Sequence, residues 1–416
     1  MMKKSEIEIY RKSVNGSKGC FSCRICRSND LGYELDFGKH AVAHHLLKDV
    51  QEKYETYPFC LASCRICGFI QLMDPIPANI LYENYFTVSG WKNNPHVPRL
   101  VEVIENISSI RKSSNILDVG CNDGSFLNYL KSKGYSKLKG IEPAKDAYSL
   151  AISKGFDVEN TFLTESIAHS KFIAGSYDLI TTRQVLEHII DLDDFMRSLH
   201  YLLNQNGTLV IEIPDSSWNL EFLDYALWEE HVNYFTLNTL RQLLEKQGFT
   251  ILHYEVTLFS GRALTVFCQK NNENFIKSPC FRNIDELNIS NFFSRFDQFK
   301  LKLNEYIRSI KKPILVYGCG ARSSNFVNFT GIGSLIAHFV DDQTEKQNLV
   351  VPGCNLEILP FDISNKEDCF FLLGVNTENE RKVIEIRHLR ENSYASILPP
   401  TIYLPDFWKK MISINA

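Results

Sequence analysis

From residue 115 onward, short apolar runs alternate with longer amphipathic stretches. Asn115–Val119 reads as a buried strand, residues 125–133 as a helix and residues 139–142 as a second strand. Residues 177–182 and 208–213 read as further strands. This alternation predicts a parallel sheet covered by helices. After a helical linker over residues 270–312, residues 313–318 open a second strand–glycine–helix unit, and residues 338–342 read as its next strand. The second unit looks like a distant echo of the first. Upstream the pattern differs: residues 1–19 are polar, residues 20–75 carry little helical periodicity, and residues 79–112 mix aromatics with amphipathic helix. Three units are therefore expected, over 1–78, 79–270 and 271–416.

At 416 residues the chain is too long for one ordinary core, which agrees with that division. A net charge of −4 gives no steering toward nucleic acid or an anionic membrane. No apolar run is long enough to span a bilayer, and the first residues lead into no signal core. A cytoplasmic protein with neither partner is expected, and a monomer is the simplest expectation for a multi-domain build. The twelve cysteines admit a disulfide scaffold as the competing explanation, but their scatter over a long chain favours reduced thiols. Four of them stand as two CxxC pairs, Cys23/Cys26 and Cys64/Cys67. Two such knuckles place four thiolates at the corners of a tetrahedron, the geometry of a closed structural zinc site. Cys20 and Cys60 lie close by but belong to no pair.

The first glycine turn runs Leu117-Asp118-Val119-Gly120-Cys121-Asn122-Asp123-Gly124. A glycine turn after a strand lets the backbone approach a ligand and aims a helix N-terminus at it. Two carboxylates in the turn would repel a pyrophosphate and suit a cationic or hydroxyl-rich ligand. The next strand ends in Glu142-Pro143, where an acid can accept hydrogen bonds from ribose hydroxyls. With Val185-Leu186-Glu187-His188 further on, the pattern resembles the class I S-adenosylmethionine-dependent methyltransferases. The resemblance implies that Gly120, Asn122 and Gly124 shape the methionine side of a cofactor pocket. Asp118 and Asp123 would face the amino group or sulfonium, Glu142 and Pro143 the ribose, and Gln184 would lie under the cofactor. An NAD-binding turn is the alternative for this motif.

Over residues 20–408 the chain resembles the nucleotide-sugar C-methyltransferases that make branched deoxysugars. Residues 121–124 (CNDG), 229–235 (EEHVNYF) and 317–324 (YGCGARSS) carry the resemblance. It implies an α/β protein: a class I methyltransferase domain between a small zinc-binding module and a second Rossmann-like domain. The implied substrate is a nucleotide-linked 4-keto-6-deoxy sugar. Deprotonation beside the ketone would give an enolate that takes the methyl group, a reaction needing one base and donors at the oxygen. His231 is the expected base, Glu230 its tuner, and His188 a contact to the enolate oxygen or sugar. Arg322, Lys346 and Asn348 are candidates for phosphate and base contacts. The family pattern has a tyrosine where this chain has Trp228, whose indole only donates; a second family tyrosine aligns with Tyr85 or Phe86. These departures leave O-methylation of a sugar or small metabolite open. A non-catalytic zinc/Rossmann scaffold is the reading from another class. In the C-terminal unit, Gly318-Cys319-Gly320 with Asp341 some twenty residues on also resembles a dinucleotide turn.

Overall fold

The expected strands and helices form three sheets, and one of them is assembled from two distant parts of the chain. A computed structural model describes residues 22–77, 80–81, 95–271, 280–362 and 368–413. Tyr85 and Phe86 lie outside the described residues, as does Cys20.

The N-terminal module is an antiparallel sheet of β1 (Leu31–His40), β2 (Tyr57–Cys64) and β3 (Ile70–Leu72). The knuckles flank it. The Cys23 and Cys67 sulfurs are 3.5 Å apart, and those of Cys26 and Cys64 are 3.4 Å apart. Four sulfurs around a tetrahedral zinc at about 2.3 Å stand about 3.8 Å from one another. The cluster therefore fits the ion with only a small expansion, and all four of its sulfurs would be committed to the metal.

The middle sheet contains β4 (Asn115–Val119), β5 (Lys137–Ile141), β6 (Asp157–Glu159), β7 (Tyr177–Arg183) and β8 (Leu203–Pro214). A two-residue strand, β9 (Asn233–Tyr234), follows, and β10 (Phe249–Leu258) and β11 (Arg262–Lys270) complete the sheet. The order is β10-β11-β8-β7-β4-β5-β6. Strands β4 to β8 run parallel and β11 antiparallel to β8. Apolar strands such as Ile116, Leu117, Leu179 and Ile180 are covered on both faces, as a helix-sandwiched sheet demands. β9 does not join this sheet. It pairs with β3 through Ile70 and Tyr234, and so completes the four-stranded sheet of the zinc module.

The third sheet has the order β14-β15-β13-β12-β16-β17, with β12 at Ile314–Tyr317, β13 at His338–Val340 and β14 at Val350–Val351. β15 (Leu356–Leu359), β16 (Phe370–Leu373) and β17 (Tyr394–Ser396) follow. A 24-residue helix, Glu286–Ser309, precedes it. Its buried Phe292, Phe296, Phe299 and Leu303 recur at helical spacing. They pack in one apolar cluster with Phe37 and Phe59 of the zinc module and Phe326 and Trp408 of the C-terminal unit. A second cluster joins Ile25 and Phe69 of the module to Phe235 and Leu240 of the middle unit. The zinc module is thus wedged between the two larger units.

Arg24, inside the first knuckle, is buried and donates to the carbonyls of Val232 (2.9 Å) and Leu72 (2.8 Å). Removing zinc with a strong chelator should therefore raise amide hydrogen exchange at residues 57–72 and also at 229–235. Protection of 229–235 that survives loss of the metal would refute the coupling. Arg24→Met should lower stability in urea by about 2–3 kcal/mol, because it removes two charge-assisted hydrogen bonds to backbone carbonyls.

Candidate active site

The carboxyl ends of β4, β5, β7 and β8 open onto a cavity of about 1330 Å³. At the end of β4 the backbone turns sharply. Gly120 has φ of +76°, and a Cβ there would lie 2.4 Å from a Val185 methyl, so the position requires glycine. Its N–H and that of Cys121 donate to the Ile141 carbonyl, holding the turn over β5. Asn122, also left-handed at +51°, sends its backbone N–H 2.8 Å to one Glu142 oxygen. The other Glu142 oxygen accepts from the Ala144 N–H at 2.8 Å. Glu142 is nearly buried, and burial pushes its carboxyl up. A carboxylate accepts about four hydrogen bonds, so capacity remains toward the cavity that Glu142 lines. Gly120, Asn122, Asp123, Pro143 and Gln184 line it too. Gln184 is left-handed at +54° and anchored by its N–H to the Glu212 carbonyl.

Three residues expected at the cofactor lie elsewhere or are otherwise engaged. Asp118 is fully buried and absent from the cavity wall; it accepts the Thr181 hydroxyl at 2.6 Å and braces β4 on β7. Gly124, at φ +75°, starts the Ser125–Ser132 helix against Phe156 and does not line the cavity. Asp123 touches the cavity, but its carboxylate pairs with Lys154 at 2.7 Å and accepts the Ser125 N–H. Burial opposes the ionised form, yet the Lys154 ammonium and the Ser125 contacts outweigh it and hold the carboxyl below its usual range.

The opposite wall is the loop from Trp228 to Tyr234, sewn to the turn Leu186–His188. Val232 N–H donates to the Glu187 carbonyl at 2.9 Å. The Asn233 amide donates to the carbonyls of Leu186 (3.0 Å) and Ile189 (2.6 Å). His188 Nδ1 lies 3.0 Å from the Glu230 carbonyl, which only accepts, so Nδ1 carries the proton and Nε2 is bare in the neutral ring. The His188 and His231 rings meet edge to face with centroids 5.0 Å apart, and Trp228 lies 4.9 Å from His231. Burial drives the His231 imidazolium well below the usual range, and His188 and Arg322 push the same way. His231 is therefore a neutral base at neutral pH. Burial also lowers His188, against the Glu230 carboxylate and carbonyl.

Glu230 does not tune His231 directly. Its carboxylate lies 3.1 Å from His44 Nδ1 of the zinc module. Burial disfavours the His44 cation, but the hydrogen bond and charge of Glu230, with Glu229, raise it overall. Glu230 thus docks the module, and its backbone carbonyl orients His188. Glu229 is the third link: its carboxylate accepts the Ala43 N–H at 2.6 Å and the Asn325 amide of the C-terminal unit. The sequence reading did not single out Glu229 or Glu187. Their only signal was membership of the EEH and VLEH runs.

From the C-terminal unit, Arg322 reaches the cavity wall, its guanidinium 5.0 Å over the Trp218 ring and 3.6 Å from Asp224. Lys346 and Asn348 do not. Lys346 Nζ donates to the Cys319 carbonyl at 2.9 Å and lies 3.6 Å from Asp341. The left-handed Asn348 (φ +66°) gives its N–H to Ile358. Both belong to the internal bracing of the third sheet. Among the described residues, no helix is long and apolar enough to cross a membrane.

A family model described as "Methyltransferase domain" matches residues 94–254. A model described as "Putative zinc binding domain" matches residues 23–82, and a "C-methyltransferase C-terminal domain" matches residues 281–392. The chain is similar to C-methyltransferase NovU of Streptomyces niveus, at 22% identity over 390 residues, which cover 87% of this chain and 93% of that protein. It is 32% identical over 97 residues to a ubiquinone biosynthesis O-methyltransferase of Hydrogenovibrio crunogenus, covering 23% of this chain and 39% of that one. A solved S-adenosylmethionine-dependent methyltransferase from Archaeoglobus fulgidus aligns with a TM-score of 0.35 at 18% identity, over 47% of this chain and 100% of its own. The chain is an S-adenosylmethionine-dependent methyltransferase of the class I fold, with a zinc-binding N-terminal domain and a C-methyltransferase C-terminal domain.

Proposed function

We propose that this enzyme methylates a carbon beside the ketone of a nucleotide-linked 4-keto-6-deoxy sugar through an enolate. The observation that carries the reading is a neutral, half-buried histidine, His231, set on the loop that closes the cofactor cleft. Cleft volume supports a two-ligand site: about 1330 Å³ exceeds the range of about 300–1,000 Å³ typical for one small molecule.

S-adenosylmethionine supplies an electrophilic methyl group on a sulfonium. Glu142 accepts the ribose hydroxyls, and Gly120, Asn122, Pro143 and Gln184 form the rest of the cofactor wall. His231 takes the proton from the carbon beside the ketone. The C–H pair becomes the enolate, its carbon takes the methyl group, and the ketone re-forms. The proton then leaves His231 for solvent, so one proton is released per turnover. His188, with Nδ1 committed to Glu230, presents an acceptor to a sugar hydroxyl rather than a donor to the enolate. Trp228 Nε1 is buried without a partner among the described residues and faces the same wall, which supports it as a donor to the sugar. A phosphate of the nucleotide would meet Arg322, which lines the same cavity while its guanidinium also donates to the Asn376 side chain and the Pro399 carbonyl.

Glu142→Ala should weaken S-adenosylmethionine binding about 10- to 100-fold by calorimetry, the loss expected for hydrogen bonds to a charged group of about 1.5–3 kcal/mol. Unchanged affinity would remove Glu142 as the ribose anchor. His231→Ala should abolish methylation of dTDP-, GDP- or CDP-linked 4-keto-6-deoxy sugars while leaving cofactor affinity within about twofold. The base works in its neutral form, and burial depresses its pKa. The acidic limb of kcat/KM should therefore fall below the ordinary histidine value of about 6.5. A limb at or above that value would mean that another group carries the proton.

A further inference from the structure

We propose that Glu187 is a catalytic residue of this site, a carboxylic acid whose O–H donates to the ketone oxygen as negative charge builds there. The proposal rests on the enolate reading and deepens it. Enolate formation needs a donor at that oxygen, and the histidines do not supply one. His231 is neutral and occupied with the C–H proton. His188 has spent its N–H on the Glu230 carbonyl.

Glu187 sits on the Leu186–His188 turn and lines the cavity, yet its side chain is 1% exposed. Neither carboxyl oxygen has a hydrogen-bond partner among the described residues. The nearest histidine nitrogen, His188 Nε2, is 3.9 Å away. One ligand atom from each of Glu187, His188 and His231 lies within 4.8 Å of the others. A substrate atom that meets one of these side chains therefore meets the group. A buried carboxylate without donors is costly, whereas a buried carboxylic acid is held in reserve as a donor. Burial pushes the Glu187 pKa up to about 8; its own backbone N–H opposes the shift, and the nearby Glu212 carboxylate adds to it. The Glu187 backbone is tied to the facing loop, because its own carbonyl accepts the Val232 N–H at 2.9 Å.

The step balances without any further reagent. The Glu187 O–H stays with Glu187 or is shared with the oxygen while the enolate lives, and it returns when the ketone re-forms. The only net proton is the one His231 removes.

The test separates enolate formation from methyl transfer. Full-length enzyme with S-adenosylhomocysteine bound is incubated in D2O with dTDP-, GDP- and CDP-linked 4-keto-6-deoxy sugars, and deuterium entry beside the ketone is followed by NMR. Parent enzyme should exchange above background. Glu187→Leu should exchange about 100-fold or more slowly, the loss typical of one oxyanion donor. Glu187→Gln, which keeps the shape and an N–H donor, should recover to within about tenfold of the parent. S-adenosylhomocysteine affinity within about twofold of the parent certifies that each variant is folded. Glu187→Leu exchanging within about twofold of the parent would overturn the proposal. So would Glu187→Gln falling about 100-fold, which would indicate an ionised base, or a second bound metal lost in Glu187→Gln, which would make the trio a cation site. Absence of exchange by the parent on every sugar would sink the enolate reading itself, and this proposal with it.

Discussion

The backbone of Val232 holds the three units of this protein to one geometry. Its carbonyl is gripped by the Arg24 guanidinium from inside the zinc knuckle and by the Leu72 N–H of β3. Its N–H is given to the Glu187 carbonyl in the cofactor domain. The residues just before it complete the junction: Glu229 meets Ala43 and Asn325, and Glu230 meets His44. Each buried polar group here would cost about 1–3 kcal/mol if left unpaired. The loop therefore has low energy only when the module, the cofactor domain and the C-terminal unit are all in place. This explains why a methyltransferase should carry a structural metal. Zinc rigidifies a knuckle whose arginine positions the chain one residue after His231, and the metal itself remains outside the chemistry.

The electrostatics of the cleft follow from the same packing. Asp118, Glu142 and Glu187 are all raised by burial, and none has a lysine within contact distance among the described ion pairs. Glu212 differs. Burial opposes its charge, but His96 at 3.0 Å and Arg183 keep it below the usual range. Glu142, Glu187 and Glu212 share the cavity wall with Lys145 and Arg183, so the wall under the glycine turn carries groups of both signs. Arg322 adds a further cation from the C-terminal unit.

Local signals were legible in the sequence, and pairing across long separations was not. The strands at 115, 137 and 177 were read to within about two residues, because buried parallel strands are short apolar runs bounded by turns. Gly120, Asn122 and Glu142 line the cavity, and their spacing was readable because strand, turn and acid are contiguous, whereas Gly124 of the same turn does not line it. β9 escaped notice. Two residues of strand have no periodicity, and their partner β3 lies some 160 positions upstream. Asp118 and Asp123 were read as facing a ligand because a sequence shows carboxylates but not their neighbours. Thr181 is 63 positions and Lys154 is 31 positions away. Glu230 was expected to act on the adjacent His231. In the folded chain its carboxylate turns to His44, and only its carbonyl serves the site.

The C-terminal unit shows how one backbone device serves opposite ends. In the middle domain, the acid at the end of the second strand, Glu142, accepts the Asn122 N–H of the glycine turn and leaves the turn open to the cavity. In the third sheet, Asp341 at the equivalent place accepts the Cys319 N–H at 2.7 Å and the Gln343 N–H at 2.9 Å. The resemblance to a dinucleotide turn is therefore real at the level of backbone geometry. Yet Lys346 crosses the turn to the Cys319 carbonyl and neutralises Asp341, while Ser323 donates back to the Gly318 carbonyl. Groups that a dinucleotide would need are spent within the protein, and the helix that follows the turn instead carries Arg322 and Asn325 toward the middle domain. In the middle domain the turn keeps its face to the cavity even though Lys154 donates to its Asp123 carbonyl at 2.7 Å, whereas the C-terminal unit supplies Arg322 to that same cavity's wall.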